Sequence, residues 1–159
     1  GSSTYLLLVN LLTASNGPLG GALVGYQPPP TGGTLRLLAV PVRVYDSRPG
    51  NPPLIGTKAP LANAATRVVD AKANSSGVPA GAAAVLANIT VVNTSANGFL
   101  SAFKTGVAVP TASTLNWFLP GTVAPNTTIV ACDANAQISC YVPAGASADF
   151  FVDVLGYYI

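Results

Sequence analysis

The sequence predicts an all-β protein, built as an antiparallel β-sandwich of jelly-roll or immunoglobulin-like type with an extended apolar N-terminal arm. Its apolar segments are short and rich in β-branched residues, which fit the pleated surface of a strand. Sixteen glycines and fourteen prolines recur along the 159 residues, in turn sequences such as RPGNPP and NTSANG. Short strands divided by regular turns are typical of a sandwich or barrel.

Ten segments are predicted as strands. In chain order they are Thr4–Leu12, Ala22–Tyr26, Leu35–Tyr45, Ala65–Asp70, Ala83–Val92, Gly98–Phe103, Ser113–Phe118, Thr127–Cys132, Gln137–Val142 and Ala148–Tyr158. The alanines of PAGAAAVLANITV favour a helix. Since that run ends in Ile-Thr-Val-Val, all β-branched, we expect a strand.

The last predicted strand carries apolar residues on both faces. Alternation in ADFFVDVLGYY places Phe150 and Val152 on one face and Phe151 on the other. A strand that is apolar on both sides is expected near the centre of a sheet.

Charged residues in this strand need partners, because burying an unpaired carboxylate is costly. PVRVYDSRPG, near the start of the main domain, supplies arginines suited to bidentate pairing. The sequence therefore predicts structural ion pairs between the two ends of the domain, formed among Arg43, Asp46, Arg48, Asp149 and Asp153.

The joint GYQPPPTGG divides the chain into two parts, residues 1–33 and residues 34–159. Three prolines followed by two glycines make a stiff and then flexible connection. The first part, an arm with this joint at its end, carries no charged residue, and the second is the predicted sandwich. The apolar residues of the arm are Tyr5, Leu6, Leu7, Leu8, Val9, Leu11 and Leu12.

This arm has two interpretations. It folds back on its own domain as further strands, or it docks into the next subunit and completes that subunit's sheet. A head-to-tail contact of the second kind builds filaments unless rotation closes a ring. An apolar strand left unpaired aggregates, so we expect the arm to be paired in either case.

The composition of the chain argues against some classes of binding partner. Only 8% of the residues are charged, and a net charge of +2 without a basic cluster argues against nucleic acid. The N-terminal apolar run is too short to span a bilayer, which takes about 20 residues. A neutral surface of Thr, Ser, Asn and Ala suggests an extracellular protein or one packed against its own copies.

Cys132 and Cys140 flank a polar turn in TIVACDANAQISCYVP. This pattern predicts a hairpin whose strands are joined by a disulfide, as in an oxidising compartment. Two separate buried thiols are the alternative. Metal binding would require more ligands, and the chain has no His.

No catalytic motif is present. There is no His for a triad and no G-x-S-x-G elbow. Asp149 and Asp153 could form an acid–base pair, but a structural role beside Arg43 and Arg48 explains them better. The sequence predicts neither an enzyme nor a metal or other cofactor.

Sugar binding would use exposed aromatic side chains. The candidates are Trp117, the only tryptophan, and Tyr157 and Tyr158 near the C terminus. For Trp117 in STLNWF, packing in the core is the competing interpretation.

From about Val40 onward, several stretches occur together: RVYDSRPG, GVPAGAAAVLANITVVN, GFLSAFKTGVAVPTASTLNW, PGTVAPNTTIV and DVLGYY. In order and spacing they resemble a β-rich repeat module of secreted bacterial surface proteins, often actinobacterial and sometimes joined to cell-wall amidase domains. The resemblance implies a secreted, non-catalytic β domain and supplies no ligand. It does not cover the arm.

Together these observations predict an extracellular structural or adhesive protein at the cell surface. Its most concrete form is a self-assembling filament subunit that donates the strand Thr4–Leu12. The alternative is a module that binds cell-wall glycan or another polysaccharide.

Overall fold

A computed structural model describes residues 33–159. The two strands predicted in the arm, Thr4–Leu12 and Ala22–Tyr26, lie outside these residues. The described part of the chain contains nine strands and no helix: β1 Leu35–Asp46, β2 Leu61–Ala62, β3 Thr66–Asp70, β4 Ala84–Val92, β5 Gly98–Lys104, β6 Leu115–Trp117, β7 Ala124–Ala131, β8 Gln137–Tyr141 and β9 Ser147–Tyr158.

The strands form two antiparallel sheets, which confirms the predicted sandwich. The first sheet has the order β1-β9-β4-β7, and the short β2 also pairs with β9. The second has the order β3-β8-β5-β6. Apart from the short β2, successive strands alternate between the two sheets, except that β5 and β6 lie in the same sheet. This strand order is the double Greek-key arrangement of a jelly roll.

The core lies between the two sheets. Phe150, Val152 and Val154 of β9 are fully buried in it, whereas Phe151 on the opposite face is only partly buried. β9 pairs with β1 on one side and with β4 on the other, so the prediction of a central last strand is confirmed.

The predicted strand bounds differ from the observed ones mainly at β2 and β7. The two-residue β2 is too short to give a pattern and was not predicted. β7 begins at Ala124, earlier than the predicted start at Thr127. The sequence PGTVAPN is typical of a turn, and for that reason the predicted strand starts after it. Pro125 is tolerated within the strand since β7 is an edge strand.

No helix long and apolar enough to cross a membrane occurs in residues 33–159.

Candidate functional site

RVYDSRPG forms the end of β1 and the loop that follows, beside the middle of β9. In the pairing of these strands Arg43 lies opposite Asp153, and Asp46 lies opposite Phe151. Directly opposed residues point to the same face of a sheet. That face is the outer one, because Val152 between the two β9 residues points into the core.

Two bidentate ion pairs occupy this face. Arg43 donates from Nε to Oδ1 of Asp153 at 2.7 Å and from Nη2 to Oδ2 at 3.0 Å. Arg48 donates to Asp46 from Nε at 3.0 Å and from Nη2 at 2.7 Å. A weaker contact of 3.4 Å from Arg43 Nη1 to Asp46 Oδ2 joins the pairs. The resulting chain of charges fastens the first strand of the domain to the last.

The network shifts the acidity of its members. Burial alone would raise the pKa of the Asp46 carboxyl, but the hydrogen bonds and charge of Arg48, with the charge of Arg43, outweigh burial and hold this pKa below its usual range. The hydrogen bond to Asp153 raises the pKa of Arg43, and the one to Asp46 raises that of Arg48. Arg43, Asp46 and Arg48 therefore remain ionised at neutral pH.

The ring of Phe151 lies beneath both guanidinium groups. The Cζ atom of Arg43 is 3.9 Å from the ring centroid and that of Arg48 is 4.9 Å away. Both distances are within the range of cation–π attraction, about 6 Å. The aromatic ring thus supports the arginines from below and keeps their donors aimed at the carboxylates.

A shallow, open groove of about 450 Å³ lies over the Arg43–Asp153 pair. Its lining consists of Pro41, Arg43, Pro52, Pro53, Asn74 and Asp153. The loop that forms one wall is held by Lys58, whose ammonium group donates to the carbonyls of Asp46 at 2.5 Å, Asn51 at 2.8 Å and Pro53 at 2.5 Å. The polar side chains of this groove are held in place by the surrounding hydrogen bonds. Because Arg43 is already paired with Asp153, the groove is poorly suited to binding a phosphate.

Asp149 does not belong to the ion-pair network, so that part of the prediction is wrong. Its Oδ1 accepts a hydrogen bond from Ser47 Oγ at 2.7 Å, and its Oδ2 accepts one from Asn93 Nδ2 at 2.9 Å. It lies at the start of β9, opposite Val92 of β4. Neutral donors of the adjacent loops reach it there, whereas the nearby arginines are engaged with Asp46 and Asp153.

Trp117 is 1% exposed, and its Nε1 donates to the carbonyl of Ala96 at 2.5 Å. It therefore cannot contact a glycan, and the core interpretation is the right one. Tyr157 and Tyr158 are partly buried on opposite faces of β9, and Tyr157 packs against the core. The three aromatic residues do not form one sugar-binding surface.

The structure does not show the predicted disulfide: Cys132 and Cys140 are both free and buried. β7 and β8, the strands on either side of the turn, belong to different sheets and do not pair. On the two strands that pair with β8, the residues opposite Cys140 are Arg67 of β3 and Ala102 of β5. Burial raises the pKa of Cys132 to about 11 and that of Cys140 to about 12, so both thiols stay protonated at neutral pH.

The other two aspartates also have structural partners. Asp70 pairs with the Lys72 ammonium group at 2.7 Å, and Asp133 accepts backbone N–H groups of Asn135 and Gln137 at 2.9 and 2.7 Å. Within the described range, no group of three His, Cys, Asp or Glu side chains could hold a metal ion.

A second surface, which the sequence analysis missed, lies where β6 leads into β7. The turn between these strands exposes Phe118, Leu119 and Val123, and the outer face of β7 exposes Ile129. Thr94, itself buried, anchors the turn by accepting from Thr122 N at 2.8 Å and donating to the Leu119 carbonyl at 2.9 Å. The apolar residues on either side of the Pro-Gly turn in NWFLPGTVAP are the sequence signal that could have revealed this surface.

The predicted assembly residues Tyr5 to Leu12 lie outside the described residues. Comparison with protein-family models, with curated proteins and with solved structures finds no match to this chain. The jelly roll and its two surface features are therefore the basis for a functional proposal.

Proposed function

We propose that this chain is a non-catalytic structural protein of the extracellular surface, which assembles into filaments by donating its N-terminal strand, Thr4–Leu12, to a neighbouring copy. The observation that carries this proposal is the self-sufficiency of the described domain. Within residues 33–159 the strands form two complete sheets around a continuous core. No buried side-chain nitrogen or oxygen in that range lacks a hydrogen-bond partner.

A strongly apolar, uncharged segment of the chain lies outside these residues. Seven of the ten residues in STYLLLVNLL are apolar, and none is charged. A segment of this kind gains free energy by leaving water, at about 25 cal/mol for each Å² of apolar surface buried. Pairing with another sheet would also satisfy its backbone groups. Both requirements support an assembly strand.

The non-catalytic part of the proposal rests on how the acids are used. The chain has five acidic residues and no His. Every one of these carboxylates accepts hydrogen bonds from arginine, lysine, neutral side chains or the backbone of its own domain. The extracellular part is supported by the low charge of the chain and by its resemblance to secreted surface modules.

Deletion of residues 1–30 tests the proposal. The shortened chain should remain soluble and monomeric in sedimentation velocity, because its core is retained, whereas the full chain should form polymers. Leu8→Asp in the full chain is a milder variant that should also block assembly. Thr111→Asp, in an exposed loop, is the matched control for added charge and should assemble normally. Polymers of the shortened chain would contradict strand donation.

Binding of a cell-wall polysaccharide is the second candidate, and the groove over Arg43 and Asp153 favours it. Asn74, whose Nδ2 donates to the Arg43 carbonyl at 3.0 Å, lines the groove with the Arg43–Asp153 pair and three prolines, so polar groups lie beside apolar rings. Such a combination suits the hydroxyls and C–H faces of a sugar.

A pull-down with purified cell wall tests this candidate. Asn74→Ala should reduce binding if the groove is the site, while Asn116→Ala, at an exposed position of β6, should not. Equal retention of the two variants on the cell wall would rule out the groove as the glycan site.

A further inference from the structure

We propose that the acceptor for the donated strand is the free edge of β7, together with the apolar turn Phe118–Val123. This inference rests on the proposed function and specifies its docking site. The occupant is the segment Thr4–Leu12 of a second copy.

The edges of the two sheets differ in how well they could accept a strand. β1 carries Arg36 and Arg43, and its pairing with β9 is interrupted by two register shifts. β3 carries Arg67 and Asp70 within five residues. β2 and β6 are only two and three residues long. Charges, bulges and short length are the features by which natural proteins block edge pairing.

β7 has no charge, bulge or short length to protect it, and its one residue that disfavours edge pairing, Pro125, lies near its start. It is eight residues long, carries no charged side chain and pairs with β4 in unbroken register from Ala124 to Ala131. Its outer edge has no strand partner in the described sheets. Asn126 Nδ2 donates to the Thr114 carbonyl at 2.6 Å, which ties the strand to the second sheet and keeps its edge in place.

The turn before β7 adds an apolar surface for the side chains of an incoming strand. Phe118 is 81% exposed and Leu119 is 69% exposed, although Thr94 holds their turn in place. Neighbouring exposed apolar side chains that form a contiguous patch are typical of interaction sites. The arm of a second copy, apolar and without charge, matches both the turn and the uncharged edge.

The position of the arm's attachment point fits head-to-tail assembly. Thr34 pairs with Ile159 through two backbone hydrogen bonds of 2.7 and 3.2 Å, so the arm joins the domain beside β1 and β9. In the strand order β1-β9-β4-β7, the proposed acceptor lies at the other edge of this sheet. Donor and acceptor at opposite edges give a heterologous contact, which propagates as a filament.

Chain length permits the transfer. Twenty residues separate Leu12 from Gly33. At roughly 3.3–3.6 Å for each extended residue, they could cover up to about 70 Å, more than a neighbouring domain requires. The connection therefore allows the arm to reach a second copy.

Cross-linking between two full-length variants tests this docking site. Leu8→Cys marks the arm of one preparation, and Thr127→Cys marks β7 of the other. After co-assembly, a short bis-maleimide should join the two, and mass spectrometry of the two-chain product should identify the linked peptides. Val68→Cys, an exposed residue of the β3 edge, is the matched control and should give at least tenfold less product. Because Cys132 and Cys140 are buried, the unsubstituted chain supplies the background.

A charged substitution in the acceptor strand is the second part of the test. Ile129→Lys in the full chain should reduce polymer mass at least tenfold with unchanged circular dichroism, whereas Val68→Lys should assemble normally. Polymers formed by Ile129→Lys at the normal level, or cross-links to position 68 in place of 127, would overturn the β7 acceptor while leaving strand donation intact. Absence of polymers from the unsubstituted chain would overturn both proposals.

Discussion

Asp46→Asn is the substitution that most directly measures how much the buried carboxylate of the ion-pair network stabilises the domain. The Asp46 side chain is fully buried and accepts hydrogen bonds from the Arg48 side chain and backbone and from Arg43. Loss of one partner from a buried charge pair costs about 3–5 kcal/mol. Since Arg43 and Arg48 are 34% and 28% exposed, water compensates part of this loss, and we expect destabilisation of about 2–4 kcal/mol.

Urea denaturation followed by tryptophan fluorescence measures this loss. With a slope of about 2 kcal/mol per M, the midpoint should fall by about 1–2 M. Asp70→Asn is the control, because Asp70 and Lys72 form a partly exposed pair near the surface, whose loss should cost under about 1 kcal/mol. If Asp46→Asn costs no more than this control, the network does not stabilise the domain and the reasoning is refuted.

Three further predictions concern pH, the thiols and core packing. Because the pKa of Asp46 is lowered in the folded state, its contribution to stability is present above the unfolded pKa of about 3.9 and is lost as the pH falls through the folded value. The stability difference between the unsubstituted chain and Asp46→Asn should thus be constant from pH 7 to about pH 5 and shrink below about pH 4; an unchanged difference at pH 3 would refute this. Cys132 and Cys140 should react with maleimide at pH 7 only after unfolding, and the result should not depend on added reductant; modification in the folded state would contradict their burial. Gly98→Ala should cost about 1–3 kcal/mol in thermal or urea unfolding, since the added methyl group would lie 2.8 Å from Cζ2 of Trp117; an unchanged stability would show that the core can yield there.

Local pattern was sufficient to predict most of the sandwich. β4, β5, β8 and β9 lie within a residue of their predicted bounds because each is a short, largely apolar run. The partner of Asp153 was also predictable, since a carboxylate in a central strand must be neutralised and RVYDSRPG supplies two arginines close together near the other end of the domain.

Features that depend on three-dimensional connectivity were not predictable in this way. Cys132 and Cys140 flank a turn that resembles a hairpin locally, yet the chain crosses from one sheet to the other there. Asp149 differs from Asp153 only in its distance along β9, and that distance places it beside Ser47 and Asn93. The exposure of Phe118 depends on an anchor from Thr94, which no local pattern encodes.

The measurement that tests the central claim most directly is electron microscopy of the purified 159-residue chain under native conditions. Strand donation predicts filaments with a regular subunit repeat. Uniform particles near the 15.9 kDa mass of one chain would contradict it and would turn attention to the groove over Arg43 and Asp153 as a glycan site.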